Sequence, residues 1–291
     1  MAAGTSKIIK NGDIVMGAVR AVDHDRYLSA LYAPGDKRDA LLALYAFNAE
    51  IAGVRDRIHE PLPGEVRLQW WRDVISAEGD AETGHPTADA LRATIAACRL
   101  PKAAFENMLE ARIFDLYDDP MPSRTDLEGY CGETAAAVIQ LAAMVLDPAA
   151  APGFAELAGR AGCAQAITGL LLLLPLHRRR GQCFVPADIL SAAGTTPEEF
   201  VKGEGGAAAE RAVAAMIALA REHLNAFEKG APALPVALRP AFLPLALTDA
   251  YLDRMEKTGR SPLSATATLS TLPRHWLLLR HAMRGWTPPL T

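Results

Sequence analysis

The feature that most constrains this chain is the way turn signals cut it into helix-length pieces. Proline, glycine and short polar residues gather at YAPGDKRD, EGDAETGHPTAD, YDDPMPSRTD, LDPAAAPG, AAGTTPEEFVKGEGG and EKGAPALPVALRP. The segments between them have helical character, and the alternation of Val, Ile and Thr that marks strands is scarce. This pattern predicts about eight helices and an all-α fold. No break is long or polar enough to act as a linker, and no segment repeats at a fixed spacing. A single domain over residues 1–291 is therefore expected.

Charge and cysteine usage narrow the function classes. The formal net charge of -4 gives no overall basic field, which argues against nucleic acid as the main partner. The four cysteines, Cys98, Cys131, Cys163 and Cys183, form no C-x-x-C pair, so reduced thiols are the default. The start, MAAGTSKIIKNGDIV, lacks the continuous apolar stretch of a signal peptide, and a cytoplasmic protein is expected. The longest apolar run, Ala166 to Leu176, is short of the roughly 20 residues that cross a bilayer. It is also interrupted by Pro175, and it reads as a buried helix.

YAFNAEIAGVRDRI, residues 45–58, reads as one amphipathic helix. Leu44, Phe47, Ile51, Val54 and Ile58 recur at spacings of three and four and form the expected core face. Tyr45, Asn48, Ala52 and Asp56 share a second, mixed face, which suits either a cavity wall or a helix edge half in solvent.

Several blocks then carry a resemblance. YAFNAEIAGVRD, RLQWWRDVI from Arg67, FDLYDDP with TDLEGYCGETA, and RRGQCFVPADIL from Arg179 are similar, in this order, to segments of the squalene and phytoene synthases. The similarity runs from about residue 25 to 190, and the last hundred or so residues match loosely. It implies an isoprenoid-synthase-like helical bundle around a central cavity. In active members two helices each present an aspartate pair at i, i+4, and the four carboxylates hold magnesium ions that bridge to a substrate diphosphate. The spacing places both side chains on one helix face, and Mg²⁺ takes oxygen ligands.

On this sequence the first pair falls on Ala52 and Asp56, with Gly53 where the family often has another acid. The second pair falls on Leu173 and His177, with Gly169 at the position of the family's asparagine and Pro175 between the ligand positions. Pro175 removes a backbone donor and is expected to kink the helix. Glu50 cannot substitute, because it points about 160° away from the direction a 52/56 pair needs.

Three of the four carboxylates are thus replaced, and the resemblance implies a pseudoenzyme with no catalytic residue, no metal and no cofactor. Asp56 and Asp115 remain as residual family positions. Tyr45, Asn48, Ala52, Asp56, Gly169, Leu173 and His177 are the expected cavity residues. One branch of the family shares the changes at both motifs, reading Asn and Glu after Ala-Phe and Pro-x-His in place of the second acidic pair: the assembly factors of respiratory complex I (NADH:ubiquinone oxidoreductase). That branch implies subunits of complex I or other assembly factors as partners. The cavity is then either vestigial or a holder of an isoprenoid lipid. The alternative is an active transferase joining isoprenoid diphosphates, with Mg²⁺ held by Asp56 and acids such as Asp115. A third reading is a lipid-binding module.

Other features divide between functional and structural readings. His177 and Asp56 could ligate a different metal, although a cavity or hydrogen-bonding histidine is the simpler account. Arg178, Arg179 and Arg180 suit a phosphate or an acidic partner, or a solvated loop. A proline-rich turn explains Asp118 and Asp119. Trp70 and Trp71 diverge by about 100°, so one packs in the core and the other faces a cavity or partner. The tail PRHWLLLRHAMRGWTPPL carries Arg274, Arg280 and Arg284 and no acid. It suits an anionic membrane surface, at the inner face of the membrane, or an acidic protein, while a helix capping the bundle is the bland alternative.

Overall fold

The computed structural model describes residues 2–79, 81–257 and 261–286. In chain order its first helices are α1 (Ala2–Val22), α2 (His24–Ala30), α3 (Gly35–Ala52), α4 (Val54–Arg57), α5 (Pro61–Ser76), α6 (Pro86–Cys98) and α7 (Lys102–Ala111). The middle of the chain forms α8 (Arg124–Cys131), a π turn at Gly132–Ala136, α9 (Ala137–Leu146), α10 (Ala155–Leu172), α11 (Leu174–Arg179), α12 (Ala187–Ala193) and α13 (Pro197–Lys202). The remainder forms α14 (Gly206–Gly230), α15 (Arg239–Phe242), α16 (Thr248–Lys257) and α17 (Thr271–Arg284). No strand occurs among the described residues. The all-α expectation is met, with helices shorter and more often interrupted than the turn signals implied.

The chain divides into two compact units. One comprises residues 1–117, 137–155 and 235–243; the other comprises 118–136, 156–234 and 244–291.

In the first unit α3 is the central helix, packed by α1, α6 and α9. The unbroken run Leu41 to Asn48 is buried, as expected of a helix covered all round rather than on one stripe. Phe47 anchors the core, with its ring 5.0 Å from Trp71 and 5.6 Å from Phe105 in edge-on contacts. Of the mixed face, Tyr45 and Asn48 are buried too, because helices cover both sides of α3 there, whereas Ala52 is half-buried and Asp56 exposed. Trp71 enters the core while Trp70 stays half-buried, the divergence expected of neighbours on a helix.

In the second unit α14 packs on α12 and α16. Ser123 caps α8 by accepting from the Asp126 amide, and Thr196 with Glu199 forms a capping box on α13. The approach of α10 to the π turn is close enough that only glycine fits at position 162. Arg221 of α14 is clamped by Asp249 and Asp253 at 2.9 Å each and by Glu256 at 2.6 Å. Among the described residues one helical stretch, Arg124–Leu146, is long and apolar enough to cross a bilayer by length and composition, yet 56% of its most apolar window is buried in the fold. The Ala166–Leu176 run is not buried all round: Ile167, Leu171 and Leu174 are covered, but Leu173 and Leu176 are exposed.

Candidate functional site

The first motif sits where α3 ends. The helix stops at Ala52, and Gly53 turns the chain (φ -89°, ψ 9°) into α4, which lasts only four residues. Two hydrogen bonds shape this exit: the Gly53 amide donates to the Ala49 carbonyl at 3.0 Å, and Arg57 Nη2 donates to the Glu50 carbonyl at 2.8 Å. Residues 45–58 are therefore two helices rather than the one expected from sequence, and Ala52 and Asp56 lie on opposite sides of the break. Ala52 is half-buried and Asp56 exposed. About two turns before Ala52, the Tyr45 hydroxyl is buried without a hydrogen-bond partner. Burial raises its pKa, partly offset by the Arg26 guanidinium 5.9 Å from its ring. Asp115 lies buried in the turn Phe114–Leu116, its carboxylate 2.9 Å from Arg112 Nη1.

The second motif lies in the other unit. Helix α10 ends at Leu172, Leu173 serves as the junction, and α11 begins with Pro175 in its first turn. The Leu173 carbonyl accepts from both the Leu176 and His177 amides at 2.9 Å. Proline at the start of a helix needs no amide partner, which is why the interruption falls just before it. Leu173 is 48% exposed, so an aliphatic side chain stands in the open where the resemblance expects a carboxylate. His177 is buried, with its ring 4.7 Å from Phe184. A Cβ at Gly169 would meet nothing within 4 Å.

The three arginines after His177 separate. Arg178 is a structural brace, donating from Nε to the Phe200 carbonyl at 2.9 Å and from Nη1 to the Leu263 carbonyl at 3.0 Å. Arg179 is exposed and Arg180 half-buried. Asp118 and Asp119 are exposed in a non-helical stretch, which fits a turn.

Two polar clusters were not legible as units in the sequence. In the first unit, Glu50 lies 3.3 Å from Arg67 and 3.5 Å from His85, and the Arg67 guanidinium stacks 4.3 Å from the Trp70 ring. Glu50 and Arg67 fall inside the blocks that carry the resemblance, but His85 sits in a stretch that reads only as a turn. In the second unit, Glu128 lies 3.0 Å from the buried His223 and 2.9 Å from Arg124, which also holds Glu222 at 2.8 Å. These hydrogen bonds raise the pKa of Arg124, and Arg124 lowers that of Glu222. A groove of about 510 Å³ in the first unit, touching Ile75, Glu78, Asp89, Arg92 and Lys102, contains none of the expected site residues.

The magnesium cluster implied by the family finds few donors here. Its four positions offer one carboxylate, one imidazole and two aliphatic side chains, short of the oxygen ligands Mg²⁺ takes. Among the described residues no group of three or more His, Cys, Asp and Glu side chains is disposed to hold a metal ion.

The architecture is the all-α isoprenoid synthase fold. The crystal structure of a dehydrosqualene synthase in complex with ligand superposes with a TM-score of 0.81 at 18% identity, covering 96% of this chain and 97% of that one. The chain belongs to the squalene/phytoene synthase family, whose sequence model matches residues 19–275. Among curated relatives, it is 26% identical over 245 residues to NADH dehydrogenase (ubiquinone) complex I, assembly factor 6, of Bos taurus, covering 82% of this chain and 72% of that protein. It is also 26% identical over 262 residues to phytoene synthase 1, chloroplastic, of Arabidopsis thaliana, covering 85% of this chain and 61% of that one.

Proposed function

We propose that this protein is a non-catalytic member of the squalene/phytoene synthase family that acts in the assembly of respiratory complex I, in contact with its subunits or other assembly factors. The observation that carries the reading is the condition of both metal motifs. Ala52, Leu173 and His177 replace three carboxylates, and the helix is interrupted within each motif, at Gly53 and at Leu173. A diphosphate leaving group needs its developing charge neutralised, and removing one such contact costs on the order of 10²- to 10³-fold. Similarity to the assembly factor of Bos taurus supports the same reading. On this reading the protein works on the cytoplasmic side of the membrane, needs no Mg²⁺, and retains its cavity either as a vestige or as a holder of a prenyl chain.

The test is genetic. Deleting the gene should lower NADH:ubiquinone oxidoreductase activity and the amount of assembled complex, and both should recover with the wild-type gene and equally with Asp56→Ala. Normal complex levels in the deletion strain would refute the proposal. Equal identity to a phytoene synthase keeps one rival in view, a Mg²⁺-dependent transferase. Pyrophosphate release from farnesyl or geranylgeranyl diphosphate that requires both Mg²⁺ and Asp56 would establish that rival instead.

A further inference from the structure

Helix α17 carries two apolar sets, one turned into the protein and the other largely exposed. Leu278 is buried, and the following Trp286 packs edge-on against Phe227 of α14 at 5.0 Å. Arg274 also turns inward, donating to the Tyr251 hydroxyl at 3.1 Å. The other set points to solvent: Leu272 is 83% exposed, Trp276 64%, Leu279 40% and Met283 73%. Their spacings of four, three and four confine them to a band about 60° wide. At the helical rise the band runs for about 16 Å. Large apolar side chains exposed singly are ordinary, but a contiguous stripe marks a contact surface.

The stripe's margins identify the contact. Exposed Arg280 and Arg284 lie along one side and exposed His275 along the other, and the helix contains no acidic residue. The whole chain is net -4, so this cationic helix is a local departure from the protein's charge. We infer that α17 is a docking helix for an anionic lipid surface, lying in the interface plane with the stripe sunk at the acyl boundary and Arg280 and Arg284 at the headgroups. An amphipathic helix of this design inserts its apolar face about 5–10 Å and gains further from anionic lipid. Trp276 suits the interfacial depth, where an indole is half apolar and half wet. A second copy of the chain fits less well, because pairing the stripes would bring arginine margins together. An acidic protein surface would attract the exposed arginines but offers no layer for Leu272, Trp276 and Met283. This inference is independent of the assembly role.

The experiment is flotation of the purified full-length protein with vesicles of phosphatidylcholine alone or doped with phosphatidylglycerol. Wild type should float with the doped vesicles, release at high salt, and show a blue shift of Trp276 emission that Trp276→Phe removes. Arg280→Gln with Arg284→Gln should weaken partitioning by about 25-fold, at about fivefold per arginine. Replacing Leu272, Trp276, Leu279 and Met283 together by Gln should abolish it. All six positions are exposed, so an unchanged circular dichroism melt shows that each variant is folded. The control is Leu62→Gln with Val66→Gln on α5, equally exposed apolar residues, which should float like wild type. Failure of folded wild type to float, or flotation that survives loss of the stripe, overturns the inference. So does a dimer dissolved by the stripe variant, or capture by polyglutamate, in the absence of vesicle binding.

Discussion

Gly162→Ala probes the tightest helix approach in the second unit. A Cβ built on Gly162 would lie 2.4 Å from the Ala136 Cα and N atoms and 2.5 Å from its Cβ. That is more than 1 Å inside ordinary carbon contact at about 3.5–4.0 Å. Two of these atoms are backbone of the π turn, so no rotamer change relieves the clash, and α10 must shift by about 1 Å. Its buried neighbours Ala158, Ala161 and Ile167 move with it. Overpacking costs about 1–3 kcal/mol, and a backbone clash belongs at the upper end, about 3 kcal/mol. Alanine regains about 1 kcal/mol of helix propensity over glycine, leaving a net loss of about 2 kcal/mol. Gly169→Ala in the same helix is the internal control: nothing lies within 4 Å, so it keeps the propensity gain of about 1 kcal/mol without the clash. The two variants should therefore differ by about 3 kcal/mol. Scanning calorimetry reads this as a Tm difference of about 6–12 °C, at about 2–4 °C per kcal/mol. Melting temperatures for the two variants within about 2 °C of each other would show that α10 yields freely and that the close approach has no energetic consequence.

Other expectations are simpler. Burial pushes the Cys183 thiol up to about 11 and its Sγ lies 3.5 Å from the Val185 carbonyl, so at pH 8 it stays protonated and unreactive. Iodoacetamide followed by mass spectrometry should label half-buried Cys98 well before Cys183. Burial lowers the pKa of His281 below 6.5, so the folded protein binds fewer protons there than the unfolded chain. Its contribution to stability is present above pH 6.5 and is lost as pH falls below 6.5 through the lowered folded-state value, and His281→Leu should melt with a flatter Tm profile between pH 8 and pH 5. Arg221→Ala leaves Asp249, Asp253 and Glu256 facing one another and should cost about 1 kcal/mol, with the loss shrinking in high salt; urea melts at two salt concentrations check both statements.

Several elements were readable before any coordinates. The turn clusters and three-four spacing gave the all-α class, and Pro175 marked an interruption that the structure places at Leu173. The break at Gly53 is not legible in the sequence, because an isolated glycine within a helical pattern can be tolerated. Tyr45 and Asn48 read as a mixed face because sequence spacing does not reveal how many helices surround α3. The spacing of the tail's arginines does not show that Arg274 turns inward to Tyr251 while Arg280 and Arg284 stay exposed. Residues 287–290 of that tail lie outside the described residues.

What the sequence determined by itself is local chemistry: helices throughout, and Ala52, Asp56, Leu173 and His177 at the four positions where the family's carboxylates would stand. These follow from residue identity and short-range spacing alone. The tertiary structure decided what meets what. It placed Glu50 between Arg67 and His85, held His223 against Glu128, and turned Leu278 inward while leaving Trp276 outside. The physical reason is that spacing fixes which residues share a helix face, whereas burial and pairing depend on neighbours brought from distant parts of the chain.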